Sequence, residues 1–375
     1  MDTLPLRRAA LSVAVAAAAV LVPVAGPGHA AFAQSSPATP EATAANESGA
    51  SAADQDAVIK VTLLGTGAPR PSLRRSGPAS LVEAGPFKFL IDAGSGTREQ
   101  MFRVGAWELI TGLDTILLTH LHYDHMIDVP DIAATGWMYG RRTPMTVYGP
   151  RGTEEMIEHF NAAFKWDHDM RELVGIPMEG SKMVGHDIGP GVIFDKGGLK
   201  ITAFPVEHMP IDVATGEELN FADGSHFYGL TLGYRVDYKG HSVLFSGDTR
   251  STEKSEILTY GRGVDVLIHE VQVPSKGDSQ EAKLANMSLS VHSTPEQVGK
   301  IFAGTKPRLA VYNHIIPPDT NADELAAETR PYYKGPVITG EDFMTITIGK
   351  EITIGEQRLG GTQVFEQSRV VHDDE

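Results

Sequence analysis

Short apolar runs, each closed by glycine, aspartate or histidine, recur along most of this chain. Runs of this length, with alternating or continuous apolar positions, are typical of β-strands. The predicted strands are Val58–Leu64, Ala79–Glu83, Phe87–Ile91, Thr115–Thr119, Leu199–Pro205, Gly229–Tyr238, Ser242–Ser246, Val264–Ile268 and Leu309–His314. A final hairpin is predicted over Met344–Ile354, with its turn at Gly349 and Lys350.

Helical spacing separates several of these strands. Helices are predicted over Thr97–Val104 and Thr153–Phe164. Another begins at Thr294 and runs through Phe302, because Thr294 and Gln297 have the spacing of a capping box. Strand, helix and strand recur in both halves of the chain. The expected fold class is therefore α/β, with two mixed β-sheets flanked by helices.

The first residues have the pattern of a secretory signal peptide. Arg7 and Arg8 precede an apolar, alanine-rich run over Ala9–Val24, and Ala30 and Ala33 offer small-residue cleavage sites. The run is short for a permanent membrane helix, so we expect no stable membrane insertion, with retention as an anchor as the alternative. We expect a periplasmic or secreted bacterial protein, exported by the general or the twin-arginine route.

The rest of the chain divides by composition. Residues 1–33 are the predicted signal peptide, and residues 34–57 are rich in Ala, Ser, Pro and Thr, which predicts a disordered linker. Residues 58–355 are long enough for one large α/β domain, and a polar tail follows over 356–375. The chain contains no cysteine, which excludes disulfides, thiolate metal ligands and a cysteine nucleophile.

The strongest chemical signal follows the strand Thr115–Thr119. His120 and His122 alternate as the strand ends, so both side chains lie on one face. Asp124 and His125 follow in the turn. Imidazole and carboxylate groups suit Zn²⁺, with manganese or iron as alternatives. Two neighbouring ions about 3.5–4 Å apart would explain why the ligands come in two adjacent sets.

Later segments supply further candidate ligands. They are His208, Asp248 and His314, and each follows an apolar strand. The carboxyl ends of strands are where α/β folds usually place their chemistry. We therefore predict that these residues join the first motif in one metal site.

These residues resemble the motifs of the metallo-β-lactamase superfamily of hydrolases. The resemblance runs from about Ile59 to about Gly349 and includes Leu64-Gly-Thr-Gly67, Leu90-Ile-Asp-Ala-Gly94 and Ser246-Gly-Asp-Thr249. It implies the αββα sandwich of that superfamily and a centre of two Zn²⁺ ions. In the family pattern, the first ion is held by His120, His122 and His208. The second is held by Asp124, His125 and His314, and Asp248 and a hydroxide bridge the two. Asp128 stands where the family commonly has glycine, a departure that removes no ligand.

Within the superfamily, the chain resembles the ribonuclease Z-like branch and its exported relatives, including aryl- and alkylsulfatase-like proteins. The residues that carry this likeness are Gly65–Pro71, Asp248-Thr-Arg250, Leu267-Ile-His-Glu270 and His292-Ser-Thr-Pro-Glu-Gln297. Ribonuclease Z proteins usually have a Pro-x-Lys-x-Arg-Asn loop, which Pro71–Ser76 fits poorly, and no Gly/Lys-rich arm is evident in the sequence. The exported branch is therefore the better match. Relatives often pair, so a homodimer is one arrangement that the resemblance implies.

The chain is acidic, which bears on its substrate. It has 32 Lys and Arg against 48 Asp and Glu, a formal net charge of −16. Such a field repels a polyanion, so we expect no nucleic-acid partner. Arg70, Arg74 and Arg75 form the basic patch nearest the site. We expect them either to bind one sulfate or phosphate or to be solvated loop charges.

Several further residues are predicted to act beside the metals. Asp124 is expected to orient the attacking hydroxide, and His292 to protonate the leaving oxygen, with capping of its own turn as the alternative for His292. Asp92 is expected to accept a ring N–H from a ligand histidine, or else to be a simple turn carboxylate. His269, with Glu270, is expected to support the ligands from behind.

Two features bear on the shape of the pocket. The acidic segment Ile211–Phe227 is expected either to lie over the pocket and select substrates or to be an idle insertion. Trp137 and Tyr139 are expected either to form an aromatic wall or to pack in the core.

The function expected from the sequence is that of an exported dinuclear zinc hydrolase. It would use a metal-bridging hydroxide on a small anionic or ester-type substrate, such as a sulfate, a phosphodiester or a lactone. The alternatives are a ribonuclease Z-like phosphodiesterase or nuclease, a β-lactamase or lactonase, and a non-catalytic metal-binding protein. The last is disfavoured because every ligand position is filled.

Overall fold

The computed structural model describes residues 59–208 and 231–357, together with the backbone of residues 370–371. The predicted signal peptide (1–33), the predicted linker (34–57), the segment 211–227 and, within the tail, residues 358–369 and 372–375 lie outside the described residues. None of the described helices is both long and apolar enough to cross a membrane.

The described strands form two mixed β-sheets. One sheet has the order β16-β15-β14-β1-β2-β3-β4-β5-β6, and the other has the order β13-β12-β11-β10-β9-β8-β7. Both contain parallel and antiparallel pairs. The strands are β1 (Ile59–Gly65), β2 (Ala79–Ala84), β3 (Phe87–Ile91), β4 (Thr115–Leu117), β5 (Met145–Gly149), β6 (Met183–Asp187), β7 (Gly191–Lys196), β8 (Leu199–Pro205), β9 (Leu232–Tyr238), β10 (His241–Phe245), β11 (Val266–Gln272), β12 (Leu309–Ile316), β13 (Val337–Thr339), β14 (Met344–Ile348), β15 (Ile352–Glu356) and β16 (Val370–Val371).

The described helices lie between these strands in the sequence. They are α1 (Thr97–Gly112), α2 (Tyr123–Met126), α3 (Val129–Met138), α4 (Thr153–Ala163), α5 (Lys165–Leu173), α6 (Ile257–Tyr260), α7 (Gln280–Met287), α8 (Pro295–Thr305) and α9 (Ala322–Thr329). The predicted capping box is present, because Thr294 accepts a hydrogen bond from the Gln297 amide and the Gln297 side chain accepts one from the Thr294 amide. The predicted hairpin of β14 and β15 is also confirmed.

Three apolar layers hold the fold together. The two sheets face each other across a buried cluster that includes Val61 and Val82 from one sheet and Val236 and Val311 from the other. Alternate side chains of the same strands point outward, where helices cover them. The outer cluster of the first sheet joins strand residues to α1, α3 and α4, and the outer cluster of the second joins them to α6, α8 and α9. This arrangement confirms the predicted α/β sandwich of two mixed sheets flanked by helices.

Two helices show where local patterns misled the prediction. The first helix was predicted to end at Val104, but α1 continues to Gly112 across a kink at Gly105 and Ala106. Ala106 has φ 46°, so the hydrophobic pattern changes register there. Helix α5 was not predicted at all. It has no buried residue, and its apolar residues Trp166, Met170 and Leu173 are exposed although they are spaced as on one face of a helix.

Candidate metal centre

The predicted ligands converge where strands of both sheets end. The segment after β4 carries His120 and His122, and Asp124 and His125 lie in α2. The remaining ligands come from the second sheet: His208 follows β8, Asp248 follows β10 and His314 lies within β12. The sequence suggested that the last strand ends at His314, but β12 continues to Ile316. The structure therefore brings all seven predicted ligands to one place from four separate parts of the chain.

The first ligand set surrounds the ring of His122. Its Nδ1 atom is 2.9 Å from His120 Nε2 and 3.2 Å from His208 Nε2. Two nitrogens that bind one tetrahedral Zn²⁺ at about 2.0–2.1 Å lie about 3.3 Å apart. His120 and His208 are buried, whereas His122 is exposed. The three nitrogens thus have the spacing of ligands to one ion, with one side open to solvent.

The second set lies next to the first. Asp124 Oδ2 is 3.5 Å from His125 Nε2 and 3.4 Å from His314 Nε2. The rings of His125 and His314 stack with centroids 5.0 Å apart. All three side chains are buried. A carboxylate and two imidazoles again present one ligand atom each to a common point.

Asp248 joins the two sets. Its Oδ2 atom is 3.3 Å from the Nε2 atoms of both His125 and His314. The same oxygen is 3.8 Å from His120 Nε2 and 3.9 Å from His208 Nε2. Gly247 makes this placement possible, since it has φ 60° and a Cβ there would lie 2.7 Å from the Leu232 carbonyl oxygen. The position is that expected of a bridging carboxylate.

Neighbouring groups fix which ring nitrogen is free in two of the histidines, His125 and His208. Asp92 Oδ2 lies 2.9 Å from His125 Nδ1, so that nitrogen donates and Nε2 faces the site. His208 Nδ1 likewise donates to the Val291 carbonyl at 2.8 Å. Asp92 also accepts the Thr119 amide at 2.8 Å. Asp92 therefore acts both as a partner of a ligand histidine and as a turn carboxylate, the two alternatives that the sequence left open.

The electrostatics differ across the site. Burial lowers the pKa of His208 to about 3 and lowers that of His120 as well. Burial would also lower the pKa of His125, but the Asp248 and Asp92 carboxylates raise it well above its usual value. Burial alone would raise the pKa of Asp248, yet His314 and His125 hold it well below its usual range. The site thus keeps its carboxylates ionised.

The residues fit a divalent metal. His125 Nε2, Asp248 Oδ1 and His314 Nδ1 are fully buried and have no hydrogen-bond partner. Buried polar atoms are almost always paired, and the unpaired His125 Nε2 lies on the side of its ring that faces Asp124 and Asp248, so a ligand is called for there. A cavity of about 30 Å³ lies beside His125, Asp248 and His314. With nitrogen and carboxylate donors only, the cluster implies a divalent cation of the zinc type.

His292 adjoins this cluster without belonging to either predicted set. It is buried, and its ring lies 4.9 Å from that of His208 and 5.6 Å from that of His314. Its Nδ1 is 3.3 Å from Glu270 Oε2. Burial would lower the pKa of His292, but the Glu270 carboxylate raises it to about 9. His292 therefore faces the metal cluster as a cation at neutral pH, the state that a proton donor needs.

Glu270 has a larger role in the structure than the sequence predicted, which was only to assist His269. Its Oε1 accepts the amides of Ser293 at 2.8 Å and Thr249 at 3.3 Å, while Oε2 faces His292. One carboxylate thus ties the segment after Asp248 to the segment after His292. The signal was present in the Leu267-Ile-His-Glu270 motif, but only the contact with His292 reveals its role.

His269, which the sequence predicted to support the ligands, forms its hydrogen bonds with Glu270 and Ser251. It is fully buried, and its Nδ1 donates to the Glu270 carbonyl at 2.7 Å. Its Nε2 is 3.0 Å from Ser251 Oγ. Thr119, which the sequence did not single out, bonds Asp92 and lies 3.1 Å from His120 Nδ1. Asp128, in place of the usual glycine, accepts the Arg98 amide at 3.2 Å in the first turn of α1.

The predicted anion-binding arginines do not act together. Arg75 is buried, and its guanidinium bonds Thr66 Oγ1, two carbonyl oxygens and Glu341. Arg74 pairs with Glu341 at 3.3 Å. The sequence predicted that Arg75 either binds a sulfate or phosphate or is a solvated loop charge. Both predictions are wrong for Arg75, because its guanidinium is buried and already hydrogen-bonded. Arg70 stays exposed.

The two aromatic residues separate into different environments. Trp137 is fully buried and donates to the Pro177 carbonyl at 2.7 Å, so it packs in the core. Tyr139 is exposed and stacks on Trp107, with ring centroids 4.1 Å apart. Core packing is therefore the outcome for Trp137.

Known proteins resemble this chain in sequence and in fold. Residues 88–315 match the family model described as a β-lactamase superfamily domain. A ribonuclease Z from Mycobacterium sp. (strain KMS) is 30% identical over 78% of this chain and 96% of that protein. A ribonuclease Z from Mycobacterium marinum (strain ATCC BAA-535 / M) is 32% identical over 78% and 99%.

Solved structures show the same architecture. The metallo-β-lactamase fold protein YhfI from Bacillus subtilis has a TM-score of 0.56 and 18% identity, over 76% of this chain and 98% of that one. The short form of human tRNase Z has a TM-score of 0.53 and 22% identity, over 77% of this chain and 99% of that one. At these identities the structural likeness supports the fold alone.

Proposed function

Because this chain belongs to the metallo-β-lactamase superfamily and has ribonuclease Z homologues, we propose that it is a ribonuclease Z-like phosphodiesterase that uses two Zn²⁺ ions. The observation that carries this proposal is the position of Asp248 Oδ2, within 3.3–3.9 Å of histidine nitrogens from both ligand sets. One oxygen shared by two sets is the arrangement of two-metal sites that cleave phosphate esters. The relatives' names support a phosphodiester as the bond that is cleaved.

The protein's own groups supply the remaining chemistry. When bound, the metals provide the Lewis acidity that activates water and offsets charge on the ester. Asp124, the buried carboxylate of the second set, orients the attacking water and accepts a hydrogen bond from it. His292 donates a proton to the leaving oxygen, and the Glu270 carboxylate keeps that proton on the ring until it is needed. The exposed edge of His122 marks the side from which the substrate enters.

A second candidate is hydrolysis of a small ester, such as a sulfate, a phosphodiester of low mass or a lactone. The specific observation in its favour is that Glu341 pairs with both Arg74 and Arg75, two of the three arginines predicted to bind an anion. The net charge of −16 also opposes a long polyanion. Both candidates share the metal centre and differ in the bond that is cleaved or in the size of the substrate around it.

A substrate panel separates these candidates. Bis(p-nitrophenyl) phosphate, precursor tRNA, an aryl sulfate and a lactone are each incubated with the zinc-loaded protein and with Asp248→Ala. We expect wild-type turnover of the phosphodiesters and loss of that turnover in Asp248→Ala. Cleavage of tRNA together with the small diester supports the ribonuclease, and cleavage of the small diester alone supports the second candidate. Turnover of only the sulfate or the lactone would reject a phosphodiesterase.

We also propose export from the cytoplasm. The support is the succession of Arg7 and Arg8, the apolar run Ala9–Val24 and the small residues at Ala30 and Ala33. N-terminal sequencing of protein from a bacterial host should find a mature chain that begins near Ala31 or Gln34 outside the cytoplasm. An intact Met1 in the soluble cytoplasmic fraction would contradict export.

A further inference from the structure

His314 reaches the metal cluster through an irregularity in its strand. Along the parallel pair of β11 and β12, Glu270 lies opposite Asn313 and Val271 lies opposite Ile315, so His314 is an extra residue in the ladder. It has φ 42°, a left-handed conformation that is uncommon for a residue other than glycine. Bulges of this kind redirect a side chain. The bulge therefore aims His314 at Asp124 and Asp248.

Such a conformation persists only where the surroundings hold it. Immediately after the bulge, the Ile315 amide donates to the Thr66 carbonyl at 3.1 Å. Thr66 lies in the turn that follows β1 and is fully buried. This hydrogen bond connects β12, in the second sheet, to the first sheet at the residue next to a metal ligand.

Thr66 is itself held by a buried carboxylate. Its amide and its hydroxyl donate to Asp342 Oδ1 at 2.9 and 2.8 Å. The other oxygen, Oδ2, accepts the Ser76 amide at 2.7 Å and Gln100 Nε2 at 2.9 Å. Asp342 is 8% exposed. Four donors on one buried carboxylate leave Thr66 little freedom to move.

Arg75 secures the same turn from its other side. Its Nη1 donates to Thr66 Oγ1 and to the Gly340 carbonyl, both at 2.6 Å, and its Nε donates to the Pro318 carbonyl at 2.9 Å. Gly340 and Pro318 flank Asp342 and β12 respectively. The guanidinium therefore joins the three segments that meet around the bulge.

We propose that Thr66, Arg75 and Asp342 form a latch that positions His314 in the second ligand set. None of the three contacts a metal ligand side chain, so each is a positioning residue rather than a catalytic one. The first ligand set has its own supports in Thr119 and Val291. Loosening the latch should therefore weaken the second ion selectively and leave the first ion in place.

Asp342→Asn tests the latch, with Asp265→Asn as the matched control. An asparagine amide has only one acceptor oxygen. Its NH₂ group would therefore face a donor of Thr66 or Ser76 in place of an acceptor. Like Asp342, Asp265 accepts a hydrogen bond from a main-chain amide, that of Ser242 at 2.7 Å. It also accepts one from Arg308 at 3.0 Å. Asp265 precedes β11 and so lies at the end of that strand away from the metals. Both variants remove a partly or fully buried carboxylate from hydrogen bonds to the backbone.

Two readouts are taken that need no substrate. Zn²⁺ affinity is measured for each equivalent by competition with a chelator, and the Co²⁺-loaded protein is followed by its visible absorption. We expect Asp342→Asn to weaken the second ion about 10–100-fold and to alter the Co²⁺ bands. The first ion should change by less than about threefold. Asp265→Asn should lower thermal stability without changing either ion's affinity.

Amide hydrogen exchange gives a third readout on the metal-free protein. Exchange at Ile315 should accelerate in Asp342→Asn and not in Asp265→Asn. If Asp342→Asn does not fold, Thr66→Val removes the hydroxyl bonds while the Thr66 carbonyl remains, and the same selective loss of the second ion is expected. Wild-type affinity for both ions in the folded latch variants, or an equal loss of both, would overturn the proposal.

Discussion

The two ligand sets lie side by side, but their histidines differ in pKa. In the first set, burial keeps the histidines neutral, with the pKa of His208 lowered to about 3. In the second set, the Asp248 and Asp92 carboxylates outweigh burial and hold the pKa of His125 well above its usual value. Metal binding requires neutral imidazole. The first set is therefore ready for a cation, whereas the second must first release a proton.

The supports of the two sets differ as well. His120 and His122 belong to one short motif, and His208 is fixed by a single bond to Val291. His314 instead depends on a bulge, on Thr66 and on a carboxylate near the end of the described chain. Each set joins two residues of the His120–His125 motif to one distant histidine, but only the second set depends on a strand bulge that is held from the other sheet. This difference makes the second ion the sensitive part of the centre.

The largest effect is expected where the sets meet. Asp248→Ala removes the oxygen that both sets approach, and it leaves buried histidines without their carboxylate. We expect metal content to fall below two ions per chain and phosphodiester turnover to fall at least about a thousandfold. Elemental analysis and steady-state kinetics check this, with Asp195→Ala, an exposed aspartate of β7, as the control. A variant that keeps both ions would show that the sets do not share Asp248.

Variants that each lack one ligand histidine test whether the two ions bind separately. His208→Ala should weaken the first ion, and His314→Ala the second, each by about 100-fold or more, while the other ion stays bound. Both variants should lose most turnover, because each ion contributes to charge stabilisation. Isothermal titration of the metal-free proteins with Zn²⁺ measures the two sites. Loss of both ions in each variant would mean that the sets do not act separately.

Glu270→Gln tests the proton donor beside the second set. Glu270 raises the pKa of His292 to about 9, so the ring keeps its proton at neutral pH and loses it as the pH rises through that value. Without the carboxylate the proton is lost at lower pH. We expect the alkaline limb of the kcat profile to move to lower pH and turnover above neutral pH to fall about 10–100-fold, most with poor leaving groups. An unchanged limb would assign Glu270 to structure alone.

The smallest expected effect is the pH dependence of each ion. Because His125 holds a proton before the second ion binds, that ion's affinity should fall about tenfold for each unit that the pH drops below the raised pKa of His125. The first ion should depend less on pH, because burial lowers the pKa of its three histidines. Competition with a chelator at pH 6, 7 and 8 compares the two. Parallel pH dependences would remove the electrostatic distinction between the sets.

The features that the sequence could predict are those set by local spacing. The motif from His120 to His125 is local, so its spacing alone indicates a metal site, and the apolar strands before His208, Asp248 and His314 indicate the layered α/β fold. The apolar runs mark strands of both sheets but miss β5, β6, β7 and β13, and all seven predicted ligands come together in the structure. Local spacing thus identifies the ligands and the class of fold.

What the sequence could not predict depends on burial and on distant contacts. Arg75 looks like a surface cation, and only the folded chain shows it buried against the turn at Thr66. Asp342 has no motif around it, because its partner Thr66 lies at the other end of the described chain. The bulge at His314 is invisible because an extra residue leaves the apolar pattern of β12 almost unchanged. These are contacts of tertiary structure rather than of sequence neighbours.

The central claim, a hydrolase that needs both ligand sets, is tested most directly by stepwise activation. Metal-free protein is titrated with Zn²⁺ at pH 7.5 while hydrolysis of bis(p-nitrophenyl) phosphate is recorded. We predict little turnover during the first equivalent of Zn²⁺, a steep rise during the second and a plateau at two ions per chain. Full activity with one ion, or activity in protein shown by elemental analysis to contain no metal, would contradict it.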